Sequence, residues 1–150
     1  MTDAPRPREQ RRRDTEQRLQ HDVDLWVATA SADGTPYLVP LSFDWDGTAL
    51  LVSTPASSPT GRNLATTGVA RLALGPTRDV TMIDVQVEVL PLDALPPGAA
   101  VRYATRTGFD PRTLSTPYAW FRLLPRRLQA WREVDELPER GLMRNGEWLV

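Results

Sequence analysis

Alternation of apolar residues, bounded by Asp-Gly pairs, is the feature that most constrains this fold. In YLVPLSFDW, residues 37–45, Tyr37 and every second residue after it are apolar and would lie on one face of a β-strand. Asp33-Gly34 precedes this run and Asp46-Gly47 follows it. Asp-Gly is preferred in tight hairpin turns because both positions tolerate positive φ. With LWVATAS before the run and TALLVST after it, the sequence predicts an antiparallel three-stranded meander over residues 25–54.

Three further segments have strand character: VARLALG, DVTMIDVQVEVLPL and the proline-containing YAWFRLLPRRLQAWRE. Pro125 cannot donate to a ladder and therefore marks a bulge or an edge position. Between these strands, PPGAAVRYATRTG predicts a helix that ends at Gly108, bordered by Tyr103 and Tyr118, which could line a cleft. Six or so strands with few, short helices favour a mainly β protein, a small closed antiparallel barrel. Five aromatic residues are assigned to its core: Trp26, Phe43, Trp45, Trp120 and Phe121.

Composition excludes several kinds of chemistry. The chain has no cysteine, so disulfides and zinc-thiolate sites are excluded and a cytoplasmic location is expected. All 18 basic residues are arginine, which excludes lysine Schiff bases and a P-loop lysine. His21 is the one histidine, so no multi-histidine metal site is expected. A net charge of -1 argues against a nucleic-acid partner, and no apolar run is long enough to predict a membrane span.

The amino-terminal segment is rich in arginine and poor in apolar residues. Residues 1–22 contain RPREQRRRDTEQR, in which acidic residues alternate with the basic ones. This pattern favours a mobile, solvated arm over a nucleic-acid-binding tail. The sequence therefore predicts an arm over residues 1–22, followed by one domain over residues 23–150.

The segment STPASSPTGRNL, residues 53–64, predicts an anion site. Ser58-Pro59 is a helix-start pattern, and the helix would end at Gly68. A helix amino terminus exposes unpaired N–H groups and the positive end of the helix dipole, and Arg62 adds a cation. The alternative is that Ser58 only caps the helix and Arg62 only pairs with a carboxylate.

Three motifs together resemble the pyridoxamine 5'-phosphate oxidase-like, FMN-binding split-barrel family. They are ATASADGTPYLVPLSFDWDG, LLVSTPASSPTGRNL and PRRLQAW, in that order and spacing, and the resemblance covers about residues 23–133. It implies a homodimer of split antiparallel β-barrels, with a flavin in each of two clefts between the subunits.

The resemblance also implies which residues bind FMN. The phosphate would lie at the strand-to-helix loop, held by Ser53, Thr54, Ser58, Thr60 and Arg62, with Asn63 and Leu64 anchoring the helix. The flavin ring would lie along a strand formed by Val39, Pro40, Leu41 and Ser42, and Trp131 would approach it from the partner subunit. Many relatives have lysine or arginine where this chain has Thr60, so Arg62 would supply the charge, aided by Arg71 or Arg78.

The function implied is that of an FMN-dependent oxidoreductase acting on a small molecule of unknown identity. No catalytic acid or base is assigned, because flavin N5 itself accepts hydride. The histidine-bearing segment that grips substrate in true pyridoxamine-phosphate oxidases is missing after Trp131, which argues against vitamin B6 oxidation. Two alternatives stay open: a reductase that uses the deazaflavin F420, whose polyglutamate tail the arginine-rich leader could bind, and a non-enzymatic flavin-binding protein.

Overall fold

The computed structural model of the protein describes residues 4–150, which form a curled antiparallel sheet with short helices around it. Nine strands make up the sheet: β1 (Asp24–Ala30), β2 (Pro36–Ser42), β3 (Asp44–Trp45), β4 (Leu50–Pro55), β5 (Val69–Leu74), β6 (Val80–Leu90), β7 (Tyr118–Trp131), β8 (Gly141–Arg144) and β9 (Glu147–Trp148). Three α-helices accompany them: α1 (Arg8–His21), α2 (Pro59–Thr67) and α3 (Ala99–Thr107). The mainly β fold is confirmed, and the strands beyond the predicted six are two-residue and four-residue segments.

The strand order corrects the predicted meander. The order is β2-β1-β5-β6-β7-β4-β3, with β8 paired to β7 and β9 paired to β8. The β1–β2 and β3–β4 hairpins form as expected, but β4 pairs with β7 and not with β2. Between the two hairpins the chain turns at Phe43, whose side chain is fully buried. Alternation of apolar residues determines which face of a strand is buried, but it does not determine which strand pairs with it. The long, apolar β7 could therefore be the partner of β4.

Both Asp-Gly turns are present, for a different reason from the one predicted. Only the glycines have positive φ, 88° at Gly34 and 93° at Gly47. Asp33 instead accepts a hydrogen bond from the Thr35 backbone N–H (3.2 Å). Asp46 likewise accepts from the backbone N–H groups of the two residues after Gly47, at 2.8 and 2.7 Å. Each aspartate therefore stabilises its turn through its side chain.

The inward-facing side chains of the strands form one core. Its fully buried members include Val27, Leu50, Val52, Leu72, Ile83, Leu123 and Leu128. The core assignment holds for Phe43, Trp120 and Phe121, all buried, and Trp45 packs on the core while partly exposed. It is wrong for Trp26, which is 49% exposed, because its neighbours Leu25 and Val27 occupy the inward positions of β1.

The amino-terminal segment differs from the predicted mobile arm. Residues 8–21 form helix α1, and the face of α1 that carries Arg11, Thr15 and Leu19 is buried against the barrel. These three residues are four positions apart and therefore lie on one side of the helix. Only one of the three is aliphatic, so the hydrophobic pattern of the sequence gave no indication that this helix packs against the barrel. Residues 1–3 of the predicted arm lie outside the described residues.

A carboxylate at the carboxyl-terminal side of the barrel anchors this segment. Glu136 is 2% exposed and accepts hydrogen bonds from Arg6 Nε and Arg6 Nη2, each at 2.8 Å. The backbone N–H of Arg132 donates to the same carboxylate at 2.8 Å, and Arg11 Nη1 donates to the Glu136 carbonyl at 3.1 Å. The Arg6 hydrogen bonds, partly opposed by burial, lower the pKa of Glu136 to about 2. The arm is therefore part of the folded domain.

The remaining local predictions are confirmed. α2 ends at Gly68 with φ of 70°, α3 ends at Gly108 with φ of 73°, and both glycines are left-handed caps. The β6–β7 ladder shifts register between Asp84 and Val85, opposite Arg127 and Pro125, so Arg126 is a bulged residue. No helix among residues 4–150 combines the length and apolar character needed to cross a bilayer.

Candidate functional site

The loop that connects β4 to α2 is tightly built. Ser58 Oγ accepts a hydrogen bond from the Gly61 backbone N–H (3.0 Å) and donates to the Pro55 carbonyl (2.7 Å). A Cβ atom at Gly61 would lie well inside van der Waals distance of the Pro55 carbonyl and 3.1 Å from that of Ala56. Helix α2 therefore begins in direct contact with the end of β4, and only glycine allows this approach.

One hydroxyl in this loop lacks a partner. Thr60 is 2% exposed, and its Oγ1 atom is one of two buried side-chain polar atoms among residues 4–150 that make no hydrogen bond. Thr54 Oγ1 and Ser58 Oγ lie close by along the chain, 3.4 Å from each other. Buried polar groups are nearly always paired, so an unpaired hydroxyl at a helix start calls for an explanation. A bound acceptor at this position would supply one.

The loop is also free of acidic groups. No aspartate or glutamate occurs between Asp46 and Asp79. Arg62 is exposed, and its Nη1 donates to the Ser57 carbonyl at 2.6 Å, so it does not pair with a carboxylate as the alternative interpretation required. Arg71, by contrast, forms an ion pair with Asp84 at 2.6 Å. Arg62 is thus the cation available to an anion at this loop.

Asn63, expected to anchor the helix, and Ser53, expected to hold the phosphate, both have partners within the protein. Asn63 Nδ2 donates to Thr29 Oγ1 at 3.1 Å, and both side chains are buried, so this bond attaches α2 to β1. Ser53 Oγ donates to the Ala119 carbonyl at 2.9 Å, across the β4–β7 ladder. These side chains hold the loop in place, which leaves Thr60 and Arg62 as the groups with spare donors.

The strand predicted to lie along the ring is an edge strand. Within the part of the chain that the structure describes, β2 pairs only with β1, so one side of residues 39–42 has no neighbouring strand. Pro40 suits such a position because it has no N–H to offer. In an antiparallel ladder the N–H and C=O groups of every second residue point to the same side of the strand. The backbone groups of Leu38 and Ser42 therefore point to the open edge, as the carbonyl of Pro40 does. Val39 and Leu41 face β1 through their backbone groups.

Helix α3 adds a residue that the sequence pattern did not assign to the site. Tyr103 is buried, its hydroxyl donates to the Ser42 carbonyl at 3.3 Å, and its ring packs edge-on against Trp120 at 5.1 Å. Burial, reinforced by the Asp24 carboxylate and partly offset by a hydrogen bond from the Ser53 backbone, raises its pKa to about 12. Tyr103 thus joins the end of β2 to β7. Ala99, four residues earlier, is also buried, so α3 packs through the face that carries these two residues.

Two predicted residues lie far from this loop within the chain. Trp131 pairs with Val80 at one end of the β6–β7 ladder, whereas Ser53 pairs with Trp120 near the other end. Eleven residues of β7 separate the two points, which corresponds to roughly 35 Å of strand. Arg78 is exposed in the turn before Val80, so it belongs to the Trp131 end. A single chain therefore cannot bring Arg78 or Trp131 to the loop at residues 53–64.

Comparison with solved structures establishes the fold. The chain superimposes on an F420 reductase (TM-score 0.62, 20% identity, 75% of this chain and 94% of the other). It also superimposes on an FAD-binding protein from Mesorhizobium loti (TM-score 0.61, 18% identity, 78% and 89%). HutZ, the heme storage protein from Vibrio cholerae, matches with a TM-score of 0.67 at 14% identity, over 91% and 99% of the two chains. The chain has the split-barrel fold of these proteins.

Comparisons by sequence add no family. No protein-family model matches the chain, and no curated protein matches it. The structural neighbours are named for three different cofactors, F420, FAD and heme. Within the part of the chain that the structure describes, no three His, Cys, Asp or Glu side chains are grouped so as to hold a metal ion. The choice of cofactor therefore rests on this chain's own residues.

Proposed function

We propose that the protein is an FMN-dependent oxidoreductase whose flavin lies in a cleft completed by a second copy of the chain. The observation that carries this proposal is the buried, unpartnered hydroxyl of Thr60 at the start of α2. The exposed Arg62 follows two residues later, in a stretch without acidic residues. A hydroxyl, a guanidinium and a helix amino terminus are the donor set that suits a phosphate.

Two parts of this chain would hold the two ends of FMN. Thr60 and Arg62 would bind the phosphate, and the open edge of β2 would present backbone groups, including those of Ser42, to the flavin ring. Tyr103 donates to the Ser42 carbonyl and packs against Trp120 of β7, which holds that edge against the sheet. When bound, the flavin supplies hydride-accepting chemistry, and the protein supplies binding, orientation and exclusion of water.

The second copy is proposed from an exposed apolar face. Trp26 and Leu38 lie on the outer side of the sheet and are 49% and 60% exposed. With Met82 they line a depression of about 310 Å³ whose surface is almost entirely apolar. Patches of this kind mark interaction surfaces. A second copy would also bring Trp131 toward the loop of its partner, as the family resemblance implies.

The alternatives have less support from this chain. The arginine-rich leader is the feature that favours F420, but Arg6 and Arg11 are committed to contacts with Glu136 and its neighbours. Heme binding through histidine would need His21, which is exposed at the end of α1. A flavin-binding protein without enzymatic activity would use the same residues, so it is a possible outcome of the experiments below.

An absorbance spectrum of the purified protein tests the proposed cofactor. Oxidised FMN has bands near roughly 370 and 450 nm, and F420 has a single band near roughly 420 nm. Reconstitution of cofactor-free protein with FMN, followed by anaerobic titration with a chemical reductant, would show whether the bound flavin is redox-active. Failure to bind FMN at micromolar concentrations would contradict the proposal.

Thr60→Val should separate the role of the unpaired hydroxyl from the stability of the fold. Removing a buried hydroxyl that has no partner should leave the melting temperature of the cofactor-free protein unchanged or raise it. If the hydroxyl binds the phosphate, FMN affinity should fall by about tenfold, as for one lost hydrogen bond to a charged group. Riboflavin, which lacks the phosphate, is the matched ligand and should bind both proteins equally. Equal FMN affinity in the two proteins would remove Thr60 from the site.

Arg62→Ala should weaken FMN binding by about tenfold, because Arg62 is the one basic residue in the loop at residues 53–64. Solvent screens this exposed arginine, which limits the size of the loss. The loss should shrink as salt concentration rises, and riboflavin affinity should stay constant. Isothermal titration calorimetry at two salt concentrations measures both effects. A matched control is Arg13→Ala, an exposed arginine of α1. A loss of the same size for FMN and riboflavin would mean that Arg62 contacts something other than the phosphate.

Leu38→Asp should convert the protein from dimer to monomer. Sedimentation equilibrium of the native protein should give about twice 16.8 kDa. Burying two aspartates at a symmetric interface should weaken association by at least about tenfold. Val101→Asp, at an equally exposed apolar position on α3, should leave the mass unchanged. A native protein that is monomeric yet binds FMN tightly would rule out the two-chain cleft.

A further inference from the structure

A second cavity lies at the other end of β4 from the loop at residues 53–64. Its volume is about 390 Å³, which falls in the range of small-ligand sites. Helix α1, the β3–β4 turn, β7 and the β8–β9 hairpin form its walls. Two half-buried tryptophans, Trp45 and Trp148, line it, above a floor that includes Leu19, Leu128 and Met143. No part of the proposed flavin site contributes to these walls.

Contacts within the protein fix one aromatic wall of this cavity. The Arg12 guanidinium lies 4.5 Å from the centroid of the Trp148 ring. Arg12 Nε also forms an ion pair with Glu16 Oε1 at 3.2 Å, and Arg12 Nη1 donates to the Val150 carbonyl. Among residues 4–150, Glu16 is the one acidic residue that lines the cavity, and this ion pair neutralises it. The wall is therefore in place before any ligand arrives, and its acidic group is compensated.

The bulge in β7 places a free cation at the rim. The other arginines nearby in β7 have acidic partners: Arg122 has Asp46 and Glu88, at 3.7 and 3.6 Å, and Arg127 has Asp84 at 3.9 Å. No carboxylate within residues 4–150 lies at ion-pair distance from Arg126, which lines the cavity. Bulges commonly redirect a side chain in this way. Of the charged residues that line the cavity, Glu16 has a cationic partner and Arg126 has no acidic one among the described residues.

A glycine keeps this cation in position. Gly146, in the β8–β9 turn, has φ of 79°, and a Cβ atom there would lie 2.9 Å from Arg126 Nη1. The Gly146 backbone N–H donates to the Arg126 carbonyl at 2.8 Å. The turn thus lies directly against the Arg126 side chain, which limits its freedom before binding and lowers the entropic cost of an ion pair with a ligand.

We propose that this cavity binds a flat, apolar carboxylate, such as a two-ring aromatic acid. Its rings would contact Trp45 and Trp148, and its carboxylate would bind the Arg126 guanidinium and the side-chain amide of Gln20, which lines the same cavity. The volume suits two fused rings, the aromatic walls suit a planar group, and the Arg126 guanidinium selects an anion. This site is separate from the proposed flavin site and does not depend on it.

Isothermal titration calorimetry with 2-naphthoate tests the proposal on the full-length protein. Arg126→Gln should lower the affinity for 2-naphthoate by about ten- to a hundredfold, as expected for the loss of a charge-assisted hydrogen bond. The neutral probe 2-naphthalenemethanol should bind the wild type and Arg126→Gln equally. Arg144→Gln, an exposed arginine of β8 outside the cavity walls, is the matched control and should not change either affinity.

The outcomes separate this site from the flavin cleft. Absence of 2-naphthoate binding at millimolar concentration would overturn the proposal. So would binding that Arg126→Gln leaves unchanged, because the probe would then occupy another site. Because Arg126 is exposed, the variant is expected to fold, and its melting temperature checks this. Arg126→Lys, which keeps the charge, should retain part of the affinity, and a loss as large as that of Arg126→Gln would show that charge is not what binds the probe.

Discussion

Glu136→Ala should lower the free energy of unfolding by about 3 kcal/mol, the lower end of the range for breaking a buried ion pair. The substitution leaves the Arg6 guanidinium buried with Asp14 as its nearest remaining partner, at 2.8 Å. It also removes the acceptor for the Arg132 backbone N–H. Urea denaturation monitored by tryptophan fluorescence measures the loss. Glu133→Ala, an exposed glutamate in the same turn, should change stability by less than about 0.5 kcal/mol.

The same carboxylate should make stability depend on pH. Arg6 lowers the pKa of Glu136 from its ordinary 4.5 to about 2 in the folded protein. A depressed pKa means that the contribution is fully present above pH 4.5 and is lost as pH falls toward 2. Between pH 4.5 and pH 2, the free energy of unfolding should fall by about 3 kcal/mol more in the native protein than in Glu136→Ala. If the free energy of unfolding changed with pH in the same way in both proteins, Glu136 would not be the cause of the pH dependence.

Gly61→Ala should destabilise the protein by about 3 kcal/mol and abolish tight FMN binding. In an ordinary helix this change is stabilising, because alanine is the better helix former. Here the new Cβ would collide with the Pro55 carbonyl and lie 3.1 Å from that of Ala56, both of them backbone atoms that cannot rotate away. The start of α2 would have to move away from β4, at the cost of overpacking, and would carry Thr60 and Arg62 with it.

Thr66→Ala, at an exposed position of the same helix, is the matched control for Gly61→Ala. It should be neutral or slightly stabilising, because alanine has the higher helix propensity and the site is exposed. Thermal unfolding and FMN titration of both variants give the comparison. If Gly61→Ala were as stable as the native protein, the close approach of α2 to β4 would not be a constraint.

Local structure was predictable from the sequence where short-range chemistry decides it. The Ser58 cap, the Gly68 and Gly108 helix ends and the bulge beside Pro125 depend on neighbours within a few residues. The partner of β4 was not predictable, because alternation fixes the face of a strand and not its neighbour. The correct pairing depends on β7 being long enough to pair with β6 on one side and β4 on the other.

The parts of the fold and of the candidate site that the sequence missed are long-range contacts of polar groups. The docking of α1 depends on Arg6 and Arg11 reaching a carboxylate and carbonyls more than a hundred residues away, and hydrophobic periodicity does not detect such contacts. The sequence predicted that Tyr103 lies in a helix, but its contact with Ser42 depends on how α3 crosses the barrel. Asn63 was expected to anchor its helix, but that Thr29 is its partner likewise depends on the position of β1.

The separation of Trp131 from the loop at residues 53–64 has a genetic consequence for the proposed two-chain cleft. Each chain would give its loop to one cleft and its Trp131 to the other. When a chain with a defective loop assembles with a chain that lacks Trp131, both defects fall in the same cleft and the second cleft is intact. Two individually inactive alleles expressed in one cell should therefore complement each other, whereas two different loop alleles should not.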